Sequence, residues 1–215
     1  MIALIMAALA PAVALLLYFT LKRRADVERR LPVIRAFVIG VLIVFPVLVI
    51  EHALETEGVG MPLFAAQYTQ AAVLEEGIKF FLLYTFVLRF APIKNTYDGV
   101  IYGLSLSLGF ASLENILYLI ANGIETAVTR ALLPVTVHAL LGVIMGYYAV
   151  SAKRASRHGR RLFSFFLALA IPLIFHGLYD YILSASLGNI LYYLIPFMLF
   201  LWWFALSKAN KANAK

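Results

Sequence analysis

Residues 2–21 read IALIMAALAPAVALLLYFTL, a run without a single charge. A bilayer core is about 30 Å thick, and a helix crossing it needs about 20 apolar residues. This run is long enough by itself, and the chain continues in the same manner. Residues 36–50 are again uncharged, within an apolar run over 31–50, and further runs occupy 63–88, 99–121, 131–151, 162–183 and 189–207. Together they predict an all-α, polytopic membrane helix bundle of about seven transmembrane helices. Composition agrees, because the 215 residues are 63% hydrophobic and 13% charged, against about 45–50% and 25% in a soluble domain. The segments between the runs are too short for a separate soluble domain.

The basic residues orient the bundle. The first run has no positive segment before it and is followed by Lys22, Arg23 and Arg24, the pattern of an uncleaved anchor with its N-terminus outside. Of 18 Lys and Arg, 16 fall before or at the start of the second run, after the third, between the fifth and sixth, and in the tail. Positive charge marks the cytoplasmic face, which places the C-terminus in the cytoplasm and requires an odd number of spans. Arg130 alone lies on the outer side, and Lys79 lies within a span. The net charge of +7 is thus accounted for by loops facing lipid head groups, with no nucleic acid partner needed. The domain reading is a single transmembrane domain over 1–207 with its polar core at 63–183. A polar tail over 208–215, expected to be frayed, follows it. Zero cysteines exclude disulfides, a thiol nucleophile and thiolate metal ligands.

An ionisable residue inside a span costs about 2.5–3.5 kcal/mol on insertion scales, so each is a functional candidate. The third run carries Glu75, Glu76 and Lys79 in LEEGIKF, and the fourth carries Glu114 and Asn115 in GFASLEN. The fifth carries His138, and the sixth carries His176 and Asp180 in FHGLYD. Lys79 stands at i+4 from Glu75 and i+3 from Glu76, so it can reach either carboxylate, and His176 and Asp180 are also i, i+4. Successive residues point about 100° apart; one glutamate is therefore expected to line a cavity while the other pairs with Lys79. At 1.5 Å per residue Glu75 lies about 18 Å from the outer end of its span, and Glu114, His138 and His176 about 10 Å from theirs. Four helices thus bring polar groups to one layer between midplane and outer surface.

Each residue alone has a plainer reading. Buried Glu–Lys and His–Asp pairs tie helices together, and Asn115 serves as interhelical glue. The rows Gly99/Gly103/Ser107 and Gly142/Gly146 are expected to mark close helix packing. His52 and His158 are assigned to loops without a special role, and Glu51, Glu55 and Glu57 to a solvated outer loop. The layer as a whole calls for more. A poorly solvated carboxylate is well suited to take a proton from water, and a neighbouring histidine to share it or to stabilise an oxyanion. The same residues could hold zinc with one position open for water. Either way the natural reaction is hydrolysis within the membrane. A serine nucleophile fits less well, since no G-x-S-x-G occurs and Ser105, Ser107 and Ser112 lie in a small-residue helix.

On these residues the chain resembles the PrsW family of intramembrane proteases. Glu75-Glu76-x-x-Lys79 resembles that family's E-E-x-x-K, and Phe110-x-x-x-Glu114 with Asn115 its F-x-x-x-E(N). His138 with Gly142 is similar to an H-x-x-x-G element, and His176-Gly177-x-Tyr179-Asp180 to an H-x-x-x-D element. The resemblance implies an endopeptidase that cuts a single-pass membrane protein near the extracytoplasmic side. In the best-known members that substrate is an anti-sigma factor and the cut is the first of two. The wider group includes CAAX prenyl endopeptidases and bacteriocin-immunity-type proteins. There the first Glu of the pair is the candidate for activating water, implying Glu75 as base and Glu76 as the carboxylate paired with a basic residue. Glu114 and His138 would flank the water, and His176 and Asp180 would stabilise the oxyanion or complete a metal site. Prenyl endopeptidases carry F-x-x-x-H where this chain has Glu114, which argues against a CAAX substrate. The wider group leans towards a glutamic mechanism without a cofactor, ahead of zinc held by Glu114, His138 and His176.

Two other classes would also gather carboxylates and histidines at one depth. A proton-coupled transporter or channel would do so, although no internal repeat of the kind transporter folds are built from is visible. A non-catalytic immunity-type protein would retain the fold without the reaction.

Overall fold

The computed structural model describes residues 1–22, 30–57, 71–184 and 189–214. Among them there is no strand, and the chain is a bundle of helices. We number them α1 (Ile2–Leu21), α2 (Arg30–Thr56), α3 (Val73–Leu82), α4 (Thr96–Asn122), α5 (Ala127–Leu132), α6 (Pro134–Arg154), α7 (His158–Ser184) and α8 (Leu191–Asn213). A π-helical turn, Leu83–Val87, continues α3, and a 3-10 turn, Ile124–Thr126, leads into α5. Among the described residues, six helical stretches are long and apolar enough to cross a membrane, with α5 and α6 counted as one. The expected third span, 63–88, is described only from residue 71, so its first part lies outside the described residues.

The helices mostly outrun their expected limits. Glu51, Ala53 and Leu54 are adequate helix formers, so α2 continues to Thr56. That carries His52 into a helix instead of a loop, and His158 likewise opens α7. The tail is a correction too. It was expected to fray, yet α8 runs to Asn213. Lys22 Nζ donates to Asn210 Oδ1 at 2.7 Å, and the Lys208 ammonium lies 4.7 Å from the Phe204 ring centre. In the other direction, the fifth span begins at Pro134 and not at residue 131. Proline has no N–H to give to the preceding turn and favours the first helical position.

α4 and α6 form the centre. Every residue of α4 from Tyr97 to Ser112 is buried, as is every residue of α6 from Val135 to Gly146. Between apolar helices in lipid, close backbone approach and dispersion do the work that water does elsewhere. The glycine rows supply that approach, as expected. A Cβ on Gly99 would strike Gly146 O, and one on Gly103 would strike Gly142 O. A second crossing, between α2 and α4, uses Gly40 against Leu106 O and Gly109 against Phe37 O. At the Thr96 end the Asn95 and Asp98 side chains form a capping box. Lys153 Nζ donates to Leu88 O at 2.6 Å there, closing the π-helical end of the α3 segment.

Candidate active site

Polar side chains from α3, α4, α5, α6 and α7 meet in one buried cluster near the other end of α4. α3 contributes Glu75, Glu76 and Lys79. Lys79 is fully buried, and its three ammonium hydrogens have three acceptors: Glu75 Oε2 at 2.9 Å, Glu76 Oε1 at 2.9 Å and His138 Nδ1 at 3.1 Å. The Phe110 ring lies beneath it, 3.9 Å from Nζ, where the ring face attracts the cation. The sequence reading assigned Lys79 to one glutamate and the cavity to the other. Lys79 instead bridges both, because at i+3 and i+4 it stands between their directions.

The two glutamates still differ. Glu76 is fully buried, its Oε1 shared by Lys79 and His176, and its Oε2 has no partner among the described residues. Glu75 keeps 8% exposure and engages Lys79 through Oε2. The same oxygen lies 3.9 Å from His138 Nε2.

An ammonium only donates, so His138 Nδ1 accepts from Lys79 and the ring proton resides on Nε2. That N–H donates to Glu114 Oε2 at 2.9 Å. The other oxygen of Glu114 accepts from Arg130 NH2 at 2.7 Å. Glu114 therefore has both oxygens engaged, and it orients His138 from behind. On α7, His176 Nδ1–H donates to Glu76 Oε1 at 3.0 Å, leaving Nε2 at 3.5 Å from Asp180 Oδ2. That separation is too long for a hydrogen bond, and Asp180 Oδ2 has no hydrogen-bond partner among the described residues. The two imidazoles stand edge to face with centroids 5.1 Å apart.

Glu75, Glu76, His138 and His176 can each offer one ligand atom, all within 4.8 Å of one another. Glu114 is not in that group, so the ligand set Glu114, His138 and His176 is not the one that geometry groups. Asn115 does what was expected of it as glue: Nδ2 donates to Ala8 O of α1 at 2.9 Å.

Two participants escaped the sequence reading. Arg130 is counted in the sequence only as the one basic residue on the outer side, and that solitary position is the signal that points to it. Glu51 was assigned to a solvated loop. It lies in α2, only part-exposed, and its Oε1 is buried without a partner among the described residues. Ser112 donates to Leu108 O at 2.6 Å within its own helix, and Ser107 packs against Gly142, so neither takes part in the cluster.

Carboxylates, imidazoles and an ammonium, buried among apolar helices long enough to cross a bilayer, define an integral membrane enzyme equipped for hydrolysis. Residues 28–205 match the family described as PrsW family intramembrane metalloprotease. The chain is 50% identical over 214 residues to Protease PrsW of Bacillus subtilis, spanning 100% of this chain and 97% of that one. It is 47% identical over 217 residues to Protease PrsW of Halalkalibacterium halodurans, spanning 99% and 98%. With Protease PrsW of Clostridioides difficile it shares 26% over 216 residues, spanning 97% and 90%. No solved structure matches. The chain belongs to the PrsW family, and it is a multi-pass intramembrane protease of the cell membrane.

Proposed function

We propose that this protease cuts a single-pass membrane protein of the anti-sigma-factor type near the extracytoplasmic surface, with Glu75 taking the proton of the attacking water. The observation that carries this reading is the asymmetry of the glutamate pair. Glu76 is sealed between Lys79 and His176, whereas Glu75 retains an exposed edge beside His138. Water oxygen adds to the scissile carbonyl carbon as its proton passes to Glu75, and the proton then goes to the departing amine nitrogen. Lys79 balances the two carboxylates while this happens. Asp180 Oδ2, 3.5 Å from His176 Nε2, places a carboxylate beside that ring. The bundle is proposed to cross the membrane seven times, N-terminus outside and C-terminus in the cytoplasm.

A metal is the second reading, and the family's description as metalloproteases favours it together with the donor set. Two imidazoles and carboxylates suit zinc, and the unpartnered Glu76 Oε2 is an available ligand atom. Glu76, His138 and His176 would hold the ion, leaving Glu75 as base and Glu114 to orient His138. Such an ion supplies a more acidic bound water and a polarised carbonyl. It would have to displace the Lys79 ammonium from His138 Nδ1.

The test compares membrane-protein fragments from cells carrying wild type and Glu75→Gln. A fragment present only with wild type identifies the substrate; identical fragment sets would remove Glu75 from the reaction. Purified protein stripped by a strong chelator is then assayed on that substrate with its metal content measured. Activity lost on stripping and restored by stoichiometric zinc selects the metal reading, and activity indifferent to stripping selects the carboxylate alone. Reporter fusions after Glu57 and Glu125 are expected outside, and at 153–161 and the C-terminus inside. A C-terminus found outside would overturn the topology.

A further inference from the structure

We infer that Arg130, on the short helix α5, is a positioning residue for the cleavage reaction: through Glu114 it holds His138 with its Nδ1 lone pair facing the reaction centre. This rests on the proposed assignment of that cluster as the active site.

Arg130 occupies a site built for it by one face of α4. Its NH2 donates to Glu114 Oε1 at 2.7 Å, its Nε donates to Asn115 Oδ1 at 3.3 Å, and its guanidinium lies 4.2 Å from the Tyr118 ring centre. Residues 114, 115 and 118 share a helical face, and Asn115 is itself fastened to Ala8 O. From there one chain of hydrogen bonds leads inward. Glu114 Oε2 accepts from His138 Nε2, and His138 Nδ1 accepts from Lys79, which binds Glu75 and Glu76. The Arg130 side chain is only 14% exposed, so its charge meets little competition from water.

Without Arg130, Glu114 is a buried carboxylate with one unmatched oxygen. Nothing then anchors that carboxylate on its outer side, so it is free to turn away from His138 Nε2–H. The imidazole then loses the partner that fixes its plane from the Nε2 side, and the ring can turn and carry Nδ1 away from Lys79 Nζ. A ring so turned no longer presents its Nδ1 lone pair to the reaction centre. Arg130 does not touch the reacting atoms, so its removal lowers turnover and leaves substrate affinity alone.

The experiment uses full-length protein in nanodiscs and the substrate defined by its resistance to Glu75→Gln. Arg130→Gln is expected to lower kcat at least tenfold with KM within twofold of wild type, and Arg130→Lys to recover most of that loss. Adding Arg130→Gln to Glu114→Gln is expected to cost no more than Glu114→Gln alone, because both cut the same chain. A spectrum of 15N-histidine-labelled protein, with His138 assigned through His138→Gln, should show one narrow hydrogen-bonded Nε2–H signal in wild type and Arg130→Lys, shifted or broadened by exchange in Arg130→Gln. Wild-type kcat in Arg130→Gln, multiplicative loss in the double variant, a rise in KM alone, or an unchanged His138 spectrum would each overturn the inference. If Arg130→Gln does not fold, Arg130→Lys and the Glu114→Gln spectrum decide it: an unchanged His138 signal in Glu114→Gln overturns it. Failure of the active-site reading looks different, since Glu75→Gln would then cut like wild type.

Discussion

α4 and α6 meet twice, and the two meetings are made of opposite materials. Towards Thr96 and Arg154 the glycines bring backbone against backbone, Gly99 and Gly103 against Gly146 and Gly142, with Val150 and Ser107 packed beside them. One turn beyond Gly142 the same pair of helices holds Glu114 and His138 apart by a single 2.9 Å hydrogen bond. The first region has stability and no chemistry, the second chemistry bought with desolvated charge. The difference shows how a small membrane enzyme tolerates a cluster of four carboxylates, Glu75, Glu76, Glu114 and Asp180. The glycine seam sets the helix spacing closely, so Lys79, His138, Glu114 and Arg130 arrive within hydrogen-bond reach of one another.

The sharpest way to separate the two regions is Glu75→Gln. Cleavage is expected to fall by about a thousandfold, as for loss of a group acting in the transition state, while thermal unfolding of the purified protein barely moves. A variant with near-wild-type cleavage would leave the base unidentified. Gly146→Leu strikes the other region. A side chain there collides with Gly99 O, and overpacking of this kind costs at least about 3 kcal/mol. Little folded protein should be recovered from membranes, and normal yield with normal melting would mean that the seam can open.

Lys79→Ala joins the two effects. It leaves two buried carboxylates without their cation, at a cost of about 3–5 kcal/mol, and both melting temperature and cleavage should drop. A Lys79→Ala protein as stable as wild type would show that the bridge is not structural. The smallest effect is reserved for Asn95→Ala at the seam end. It removes the cap that accepts from Asp98 N–H and should cost about 1 kcal/mol, read by thermal unfolding, with cleavage of the same substrate unchanged. Reduced turnover at equal folding would mean that the two ends communicate.

Much of this protein is determined by the order of its residues alone. Apolar runs of spanning length dictate helices, since a bilayer offers backbone groups no other partners. Four short motifs on four such runs marked Glu75, Glu76, Lys79, Glu114, His138, His176 and Asp180, because a charge in lipid is too costly to be incidental. Helical spacing put Lys79 within reach of both glutamates, and a depth count put the four helices' polar groups at one level. Spacing along a helix says nothing of what faces it from elsewhere, and those matters were settled only in three dimensions. Arg130 stands on a separate short helix behind the break at Leu133, and no periodicity links it to Glu114. The engagement of both Glu114 oxygens, one by Arg130 and one by His138, depends on that contact. The continuation of α8 to Asn213 depends on neighbours such as Lys22. Sequence determines which groups the membrane must not leave bare; the packing of one helix on another decides which partner covers each.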